Sequence, residues 1–245
     1  MSARQLPLPF QRTSHFTDAG FLRAASNHDA LAWIDGDLAW PQHRLALWGD
    51  EGCGKTHLLH IWAGRAGAEM PEVRDLPNRP PQRPLALDNA DAIPERVLLH
   101  VLNAAAEAGL AVLLAARRAP ARWHTDLPDL ASRLRATVAV EIHRAEASLL
   151  RGLLASQLAD RQLRVDDAVQ AWLLLRLPRD PASIREAVAR LDHASLATAG
   201  RFSQRQAGQV LAELIEAREI TADANYHQNV LPIAAIAGEP KAGLR

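Results

Sequence analysis

Regular patterning along the chain begins at Phe21, where apolar residues recur at helical spacing as far as Gly36 and predict a helix with one strongly apolar face. Arg44 to Trp48 reads RLALW, short and apolar, and predicts a strand. His57 to Arg65 returns to helical spacing, with Leu58, Leu59, Ile61 and Trp62 partly facing a sheet. From Pro71 to Pro84 proline is too dense for a helix or a central strand over most of the length, so any strand there is short. Leu85-Ala86-Leu87-Asp88-Asn89 is an apolar strand that ends in a carboxylate. Ala90 to Ala108 predicts a helix after a start at Pro94, with Val97, Leu98, Val101, Leu102 and Ala105 at helical spacing and Gly109 closing it. Leu110 to Ala116 is continuously apolar and bounded by charge, as a strand covered on both faces is. A short helix ending at Leu134 and a strand over Thr137 to Ile142 complete this half.

Beyond Ile142 the strand signals stop. Glu146 to Leu158 sets Leu149, Leu150, Leu153, Leu154 and Leu158 along one helical face. Asp166 is placed to cap a helix over Asp167 to Leu177, and Asp180-Pro181 gives an N-cap followed by proline at the first helical position of Pro181 to Thr198, which Gly200 stops. Ser203 with Gln206 fits a capping box for a last helix ending near Ala217. The expected fold class is therefore α/β, a parallel sheet over residues 14–143 followed by a small four-helix domain over 144–217. Residues 218–245 lack periodicity and include Gly238, Pro240 and Gly243, so they are expected to form a mostly flexible extension.

Composition narrows the classes open to such a chain. At 245 residues it can bury a full core and make one large domain or two small ones. Hydrophobic residues make up 48%, yet no apolar run approaches the roughly 18 residues of a membrane span. Lys+Arg and Asp+Glu are each 28, so the basic surplus of a dedicated nucleic-acid binder is missing. The single cysteine, Cys53, has no internal disulfide partner, and the N-terminus lacks the basic-then-apolar order of a signal peptide. A cytoplasmic location is expected.

The strongest chemical signal lies between the first strand and the next helix. Gly49-Asp50-Glu51-Gly52-Cys53-Gly54-Lys55-Thr56 matches the phosphate-binding pattern G-x-x-x-x-G-K-[ST] at every fixed position. Its glycines let the backbone turn tightly and bring N–H groups to phosphate oxygens, where a helix N-terminus adds partial positive charge. Lys55 is the expected contact to the β- and γ-phosphates and the Thr56 hydroxyl a ligand to Mg²⁺. Gly49, Gly52, Cys53, Gly54, Lys55, Thr56 and His57 thus form the candidate site for ATP or ADP. Cys53 is either a small residue that the loop tolerates or a redox-sensing thiol beside the phosphates. Asp88, ending its apolar strand, is the second expected Mg²⁺ residue, the other reading being a turn or N-cap aspartate. The next residue is Asn89, and an amide cannot take up a proton, so slow intrinsic ATP turnover is expected. Arg117, at the end of the Leu110 to Ala116 strand, is either a phosphate contact or a solvated strand end.

The N-terminal QLPLPF adds a different kind of signal. Pro7 and Pro9 remove two donors and favour an extended chain, and Leu6, Leu8 and Phe10 have no neighbouring helix to bury them. Such a segment suits another protein's groove, or it is a tail that folds back on its own domain.

These features together resemble a known group. QLPLPF resembles the peptide Q-L-x-L-P-[LF] by which replication proteins dock on the bacterial DNA sliding clamp, the β subunit of DNA polymerase III. Taken with GDEGCGKTHLLH, LALDNAD, LPDLASRL and the four later helices, it is similar to the Hda family of DnaA-related AAA+ regulators of replication initiation over about Gln5 to Ala217. The resemblance implies an AAA+ P-loop fold with a helical lid, preceded by a flexible clamp-binding peptide at residues 1–13 in which Gln5, Leu6, Leu8, Pro9 and Phe10 make the contacts. It implies that Arg133 is an arginine finger delivered in trans to DnaA-bound ATP, and that Arg185, with Arg179 a weaker candidate, contacts phosphates from the lid; the other readings are a surface Arg133 paired with Asp129 or another carboxylate, and lid arginines that are ordinary i,i+4 partners on a solvated helix. It departs from DnaA itself in showing no basic helix-turn-helix domain after Ala217, so no specific DNA-binding domain is expected. The implied activity is clamp-dependent stimulation of DnaA ATP hydrolysis, which suppresses a second round of initiation. A stand-alone or helicase-loader-like ATPase and a non-catalytic DnaA adaptor remain open, as do monomer and homodimer.

Overall fold

The computed structural model describes residues 21–36, 39–78, 80–198 and 202–216. The clamp-like peptide Gln5 to Phe10, the stop at Gly200 and the 218–245 extension lie outside them. The chain divides into two compact units, one running to Leu153 and including Arg179–Ala182, the other comprising Leu154–Pro178 and the chain from Ser183 on.

In the first unit four strands, β1 (Arg44–Trp48), β2 (Leu85–Leu87), β3 (Val112–Ala116) and β4 (Val138–Glu141), make a parallel sheet of order β2-β3-β1-β4. β1 is central, with Leu45 opposite both Leu113 and Val138. Its helices are α1 (His28–Ile34), α2 (Lys55–Ala66), α3 (Glu95–Glu107) and α4 (Pro128–Ala136). Alternation along the strands sorts side chains onto two faces. Leu45, Leu47, Leu113 and Ala115 pack with Leu31, Ile34, Leu58, Leu59 and Trp62 of α1 and α2. Ala46, Val112 and Leu114 pack with Leu98, Val101, Leu102, Leu130 and Leu134 of α3 and α4. Because both faces of β1, β2 and β3 are covered, these strands are apolar apart from Arg44 at the start of β1, whereas the edge strand β4 leaves Ala139 and Glu141 exposed.

The strand and helix order follows the sequence pattern, with two differences: one at Phe21 to Gly36, and one in the last helix, which stops at Val210 and breaks at Leu211 before the helical residues 212–216 instead of running on to near Ala217. The periodic stretch Phe21 to Gly36 is not one helix: a single 3-10 turn at Ala25–Asn27 precedes a short α1. Asn27 causes the break, since its side chain accepts from the Ala24 N–H at 3.0 Å and donates to the Leu22 carbonyl at 2.9 Å, a local alternative to helical bonding. Ala90–Ala92 forms a separate 3-10 turn, and α3 begins just after Pro94, as the sequence pattern expects. The sheet strands are trimmed at their ends, and Glu69 adds a lone parallel bridge to Leu85 just before the proline-dense passage.

The second unit is helical. α5 (Ala147–Asp160) crosses into it, followed by α6 (Asp167–Arg176), α7 (Pro181–Thr198) and α8 (Gln204–Val210). Leu154, Leu158, Val169, Leu173, Ile184, Val188, Leu191, Phe202 and Leu211 are buried in it. The capping box at the start of α8 is present in full, the Ser203 N–H donating to Gln206 Oε1 at 3.0 Å and the Gln206 N–H to the Ser203 hydroxyl at 3.4 Å. Asp166 has the extended backbone of an N-cap but makes no side-chain capping bond.

Candidate nucleotide site

The loop from Gly49 to Gly54 leaves the C-terminal end of β1 and enters α2 at Lys55. Its glycines are required by geometry. A Cβ on Gly49 would lie 2.4 Å from the Ile142 carbonyl oxygen, and one on Gly52 would lie 2.8 Å from Asp180 Oδ1. Gly54 is the helix N-cap at φ 111°, a left-handed conformation that disfavours any other residue. The loop therefore exposes backbone N–H groups at the start of a twelve-residue helix, the arrangement that attracts phosphate oxygens.

Lys55 donates through Nζ to the Gly49 carbonyl at 2.8 Å and the Asp50 carbonyl at 2.7 Å, which folds its ammonium over the loop. Thr56 donates through its hydroxyl to Asp88 Oδ2 at 2.7 Å. Two residues separated by a whole strand and helix are thus brought into one oxygen pair. Among the described residues no cluster of three or more His, Cys, Asp or Glu side chains could hold a metal. The Thr56–Asp88 oxygen pair would suit Mg²⁺, which takes one or two protein oxygens and completes its shell with water and phosphate.

Asn89 extends the sequence reading. It sits at φ 47°, ψ 43°, in the left-handed region where asparagine is tolerated far better than glutamate, and its N–H donates to Asp88 Oδ1 at 2.9 Å. The amide is thus suited to the backbone as well as deficient as a base. Asp50 and Glu51 in the loop are each matched by an arginine from a strand end: Arg144 Nε to Asp50 Oδ2 at 2.6 Å and Arg117 Nη2 to Glu51 Oε2 at 2.8 Å. Cys53 is half-buried, and burial, only partly opposed by Lys55, pushes its thiol above the ordinary value, so it stays protonated at neutral pH. That chemistry argues against an activated redox thiol. His57 is buried, with its ring edge-on to Phe21 at 5.0 Å. The Phe21 ring also lies 3.6 Å from where a Gly54 Cβ would stand.

Arg133 is elsewhere. It lies in the last turn of α4, where its Nε is 3.2 Å from Asp129 Oδ1, and its charge is felt by Arg44, the first residue of β1. The phosphate loop follows the other end of β1, about 15 Å along the strand. Arg185 is on α7 in the second unit. Sequence reasoning did not single out Asp180 as a neighbour of Gly52, Phe21 as a neighbour of the loop, or Arg44 as a buried cation. Only Arg44 left a trace, as an arginine opening an otherwise apolar strand.

No protein-family model matches the chain. A Haemophilus influenzae protein described as uncharacterized is 27% identical over 216 residues, 79% of this chain and 92% of that protein. Among solved structures, domain III of the Thermotoga maritima replication initiation protein DnaA superposes with a TM-score of 0.70 at 15% identity, covering 83% of this chain and 98% of that one. AMPPCP-bound DnaA from Aquifex aeolicus gives 0.63 at 17% identity over 89% of this chain and 73% of that one. The Thermotoga maritima RuvB Holliday junction branch migration motor gives 0.54 at 17% identity over 76% of this chain and 65% of that one. At such identities the likeness is one of architecture, and the chain has the AAA+ P-loop fold of the DnaA domain III type.

Proposed function

We propose that this chain is a nucleotide-binding AAA+ regulator that docks on the DNA sliding clamp and stimulates hydrolysis of DnaA-bound ATP in trans, repressing initiation of chromosome replication. The observation that carries this reading is the separation of Arg133 from the chain's own phosphate loop by the length of β1. A guanidinium so placed cannot serve the nucleotide of its own subunit, whereas one at the end of α4, with 29% of its side chain exposed, is available to a neighbour's.

In the chain's own site, backbone N–H groups of residues 49–54 hold phosphate oxygens and Lys55 turns from the loop carbonyls to them. Thr56 and Asp88 would hold Mg²⁺, whose charge offsets that of the phosphates. Asn89 supplies no base, so ADP or ATP acts chiefly as a structural ligand. The segment Gln5 to Phe10 brings the chain to clamp-loaded DNA, where it meets ATP-bound DnaA. Arg133 then enters that partner's site and stabilises charge on the transferring phosphoryl group, worth on the order of 10³ to 10⁵ in rate for arginine fingers.

The test is ATP hydrolysis by DnaA with clamp-loaded DNA, with and without this chain. Stimulation is expected, and Arg133→Ala is expected to abolish it while leaving nucleotide binding intact. Unchanged stimulation by Arg133→Ala would overturn the reading.

A further inference from the structure

In the second unit, α6 is apolar on two sides. One side, with Val169, Leu173 and, just past the helix end, Leu177, is buried. The other carries Ala168, Ala171, Trp172 and Leu175 at positions i, i+3, i+4 and i+7, which share one helical face. On that face Ala168, Ala171 and Leu175 are exposed and Trp172 is half-buried. Leu175, at 66%, is the most exposed large apolar side chain among the described residues, ahead of Val73 at 42%. The one polar residue between Ala168 and Leu175 is Gln170, and its amide turns back to donate to the Val165 carbonyl at 2.8 Å. Polar cover comes only from the edge, where the Arg176 guanidinium lies over the Trp172 ring, 5.3 Å from its centre. A helix apolar on both sides is the pattern of one covered on both sides, and anchors at this spacing are what a short apolar segment docks against.

Reach and size choose the cover. α8 packs against α6 at this place, since a Cβ on Gly208 would meet the Trp172 ring at 3.2 Å. The described chain continues from Gly208 to Glu216, and residues 217–229 then lead to residues 230–237, VLPIAAIA, a run without a polar side chain. Extended, that lead spans about 43 Å, more than the ~29 Å that the stretch from Gly208 to Glu216 can put between the exit point and α6. The face itself is small. One leucine, two alanines and part of a tryptophan fall well short of the ~800 Å² per partner that a stable interface between separate molecules buries. A segment tethered by a short lead needs far less area, because its effective concentration is on the order of millimolar. We propose that residues 230–237 of this chain cover the Leu175 face of α6, with Leu231, Ile233 and Ile236 supplying the apolar contacts. The proposal stands apart from the clamp and DnaA reading, since it concerns the helical unit and its own C-terminal extension alone.

The test replaces Leu175 in the full, purified chain by the photo-crosslinking amino acid p-benzoylphenylalanine, which keeps the position apolar, and identifies the cross-linked peptide by mass spectrometry. A link to residues 230–237 within a single chain, in a yield unchanged on dilution, is expected. A link to a second copy, falling on dilution, overturns the proposal in favour of self-association, and so does the absence of any link to residues 230–237. Hydrogen exchange gives a second measurement that leaves α6 unaltered. The α6 amides of the wild-type chain are expected to exchange about tenfold more slowly than those of Ile233→Asp, because covering the face opposes local opening. Equal exchange of α6 in the two chains overturns the proposal as well.

Discussion

Single residues in the phosphate loop are fixed by backbone geometry before any chemistry is considered. Gly49 illustrates the point, since any side chain there meets the Ile142 carbonyl and no rotamer change can relieve a clash that begins at Cβ. Gly49→Ala is expected to lose about 1–3 kcal/mol of stability by overpacking, measured by urea denaturation, and to lose nucleotide binding as the loop shifts. Asn89 can be tested in the same way. With φ at 47°, Asn89→Ala should cost about 1 kcal/mol and Asn89→Gly should cost nothing or stabilise slightly, because only the former adds left-handed strain. If both substitutions leave the pure protein's ATP turnover equally slow, the asparagine is there for the turn, and its lack of a base is already complete in the wild type. A fast wild-type rate would contradict the expectation. In sequence, Asn89 is legible only as a chemical departure from a carboxylate. Its backbone conformation is invisible there, because the left-handed turn is imposed by how the strand end meets Ala90–Ala92.

Elements were legible where periodicity and chain punctuation agreed. Residues 45–48 and Leu85–Leu87 lie in strands because they are apolar without interruption and both faces of the sheet are covered there, Arg44 being the charged exception that opens β1. Phe21 to Gly36 misled for the opposite reason: its apolar spacing is helical, but one asparagine diverts the backbone through side-chain bonds that periodicity does not weigh. The end of α1 shows what holds such a short helix. Asp35 just past it binds Arg65 of α2 at 2.7 Å and Arg23 at 2.8 Å. Burial alone would raise the Asp35 pKa, but bonds to Arg65 and then Arg23 outweigh it and hold it below 3.8. A carboxyl depressed on folding contributes stability that is present above its unfolded pKa and fades as pH falls through the folded one. Asp35→Asn is therefore expected to lower stability near neutral pH by no more than about 1 kcal/mol, since the arginines are solvent-screened. The gap to wild type should close on acidification below 3.8, as followed by thermal melts.

At the scale of the whole molecule, the proposed regulator combines a tether with a reactive guanidinium, and the two should fail in different ways. A short peptide that holds the chain on a clamp contributes through effective concentration, raising local encounter by 10² to 10⁴ without touching the chemistry. Gln5→Ala is therefore expected to shift the concentration of this chain needed for half-maximal stimulation of DnaA hydrolysis, and added protein should restore the full rate. Arg133 acts on the barrier itself, so Arg133→Ala should lower the plateau and no amount of protein should recover it. Combining the two changes should give the plateau of Arg133→Ala with no independent tethering effect left to measure. If Gln5→Ala instead lowers the plateau, the N-terminal peptide must take part in the encounter with the initiator, and clamp attachment would not be a separable step.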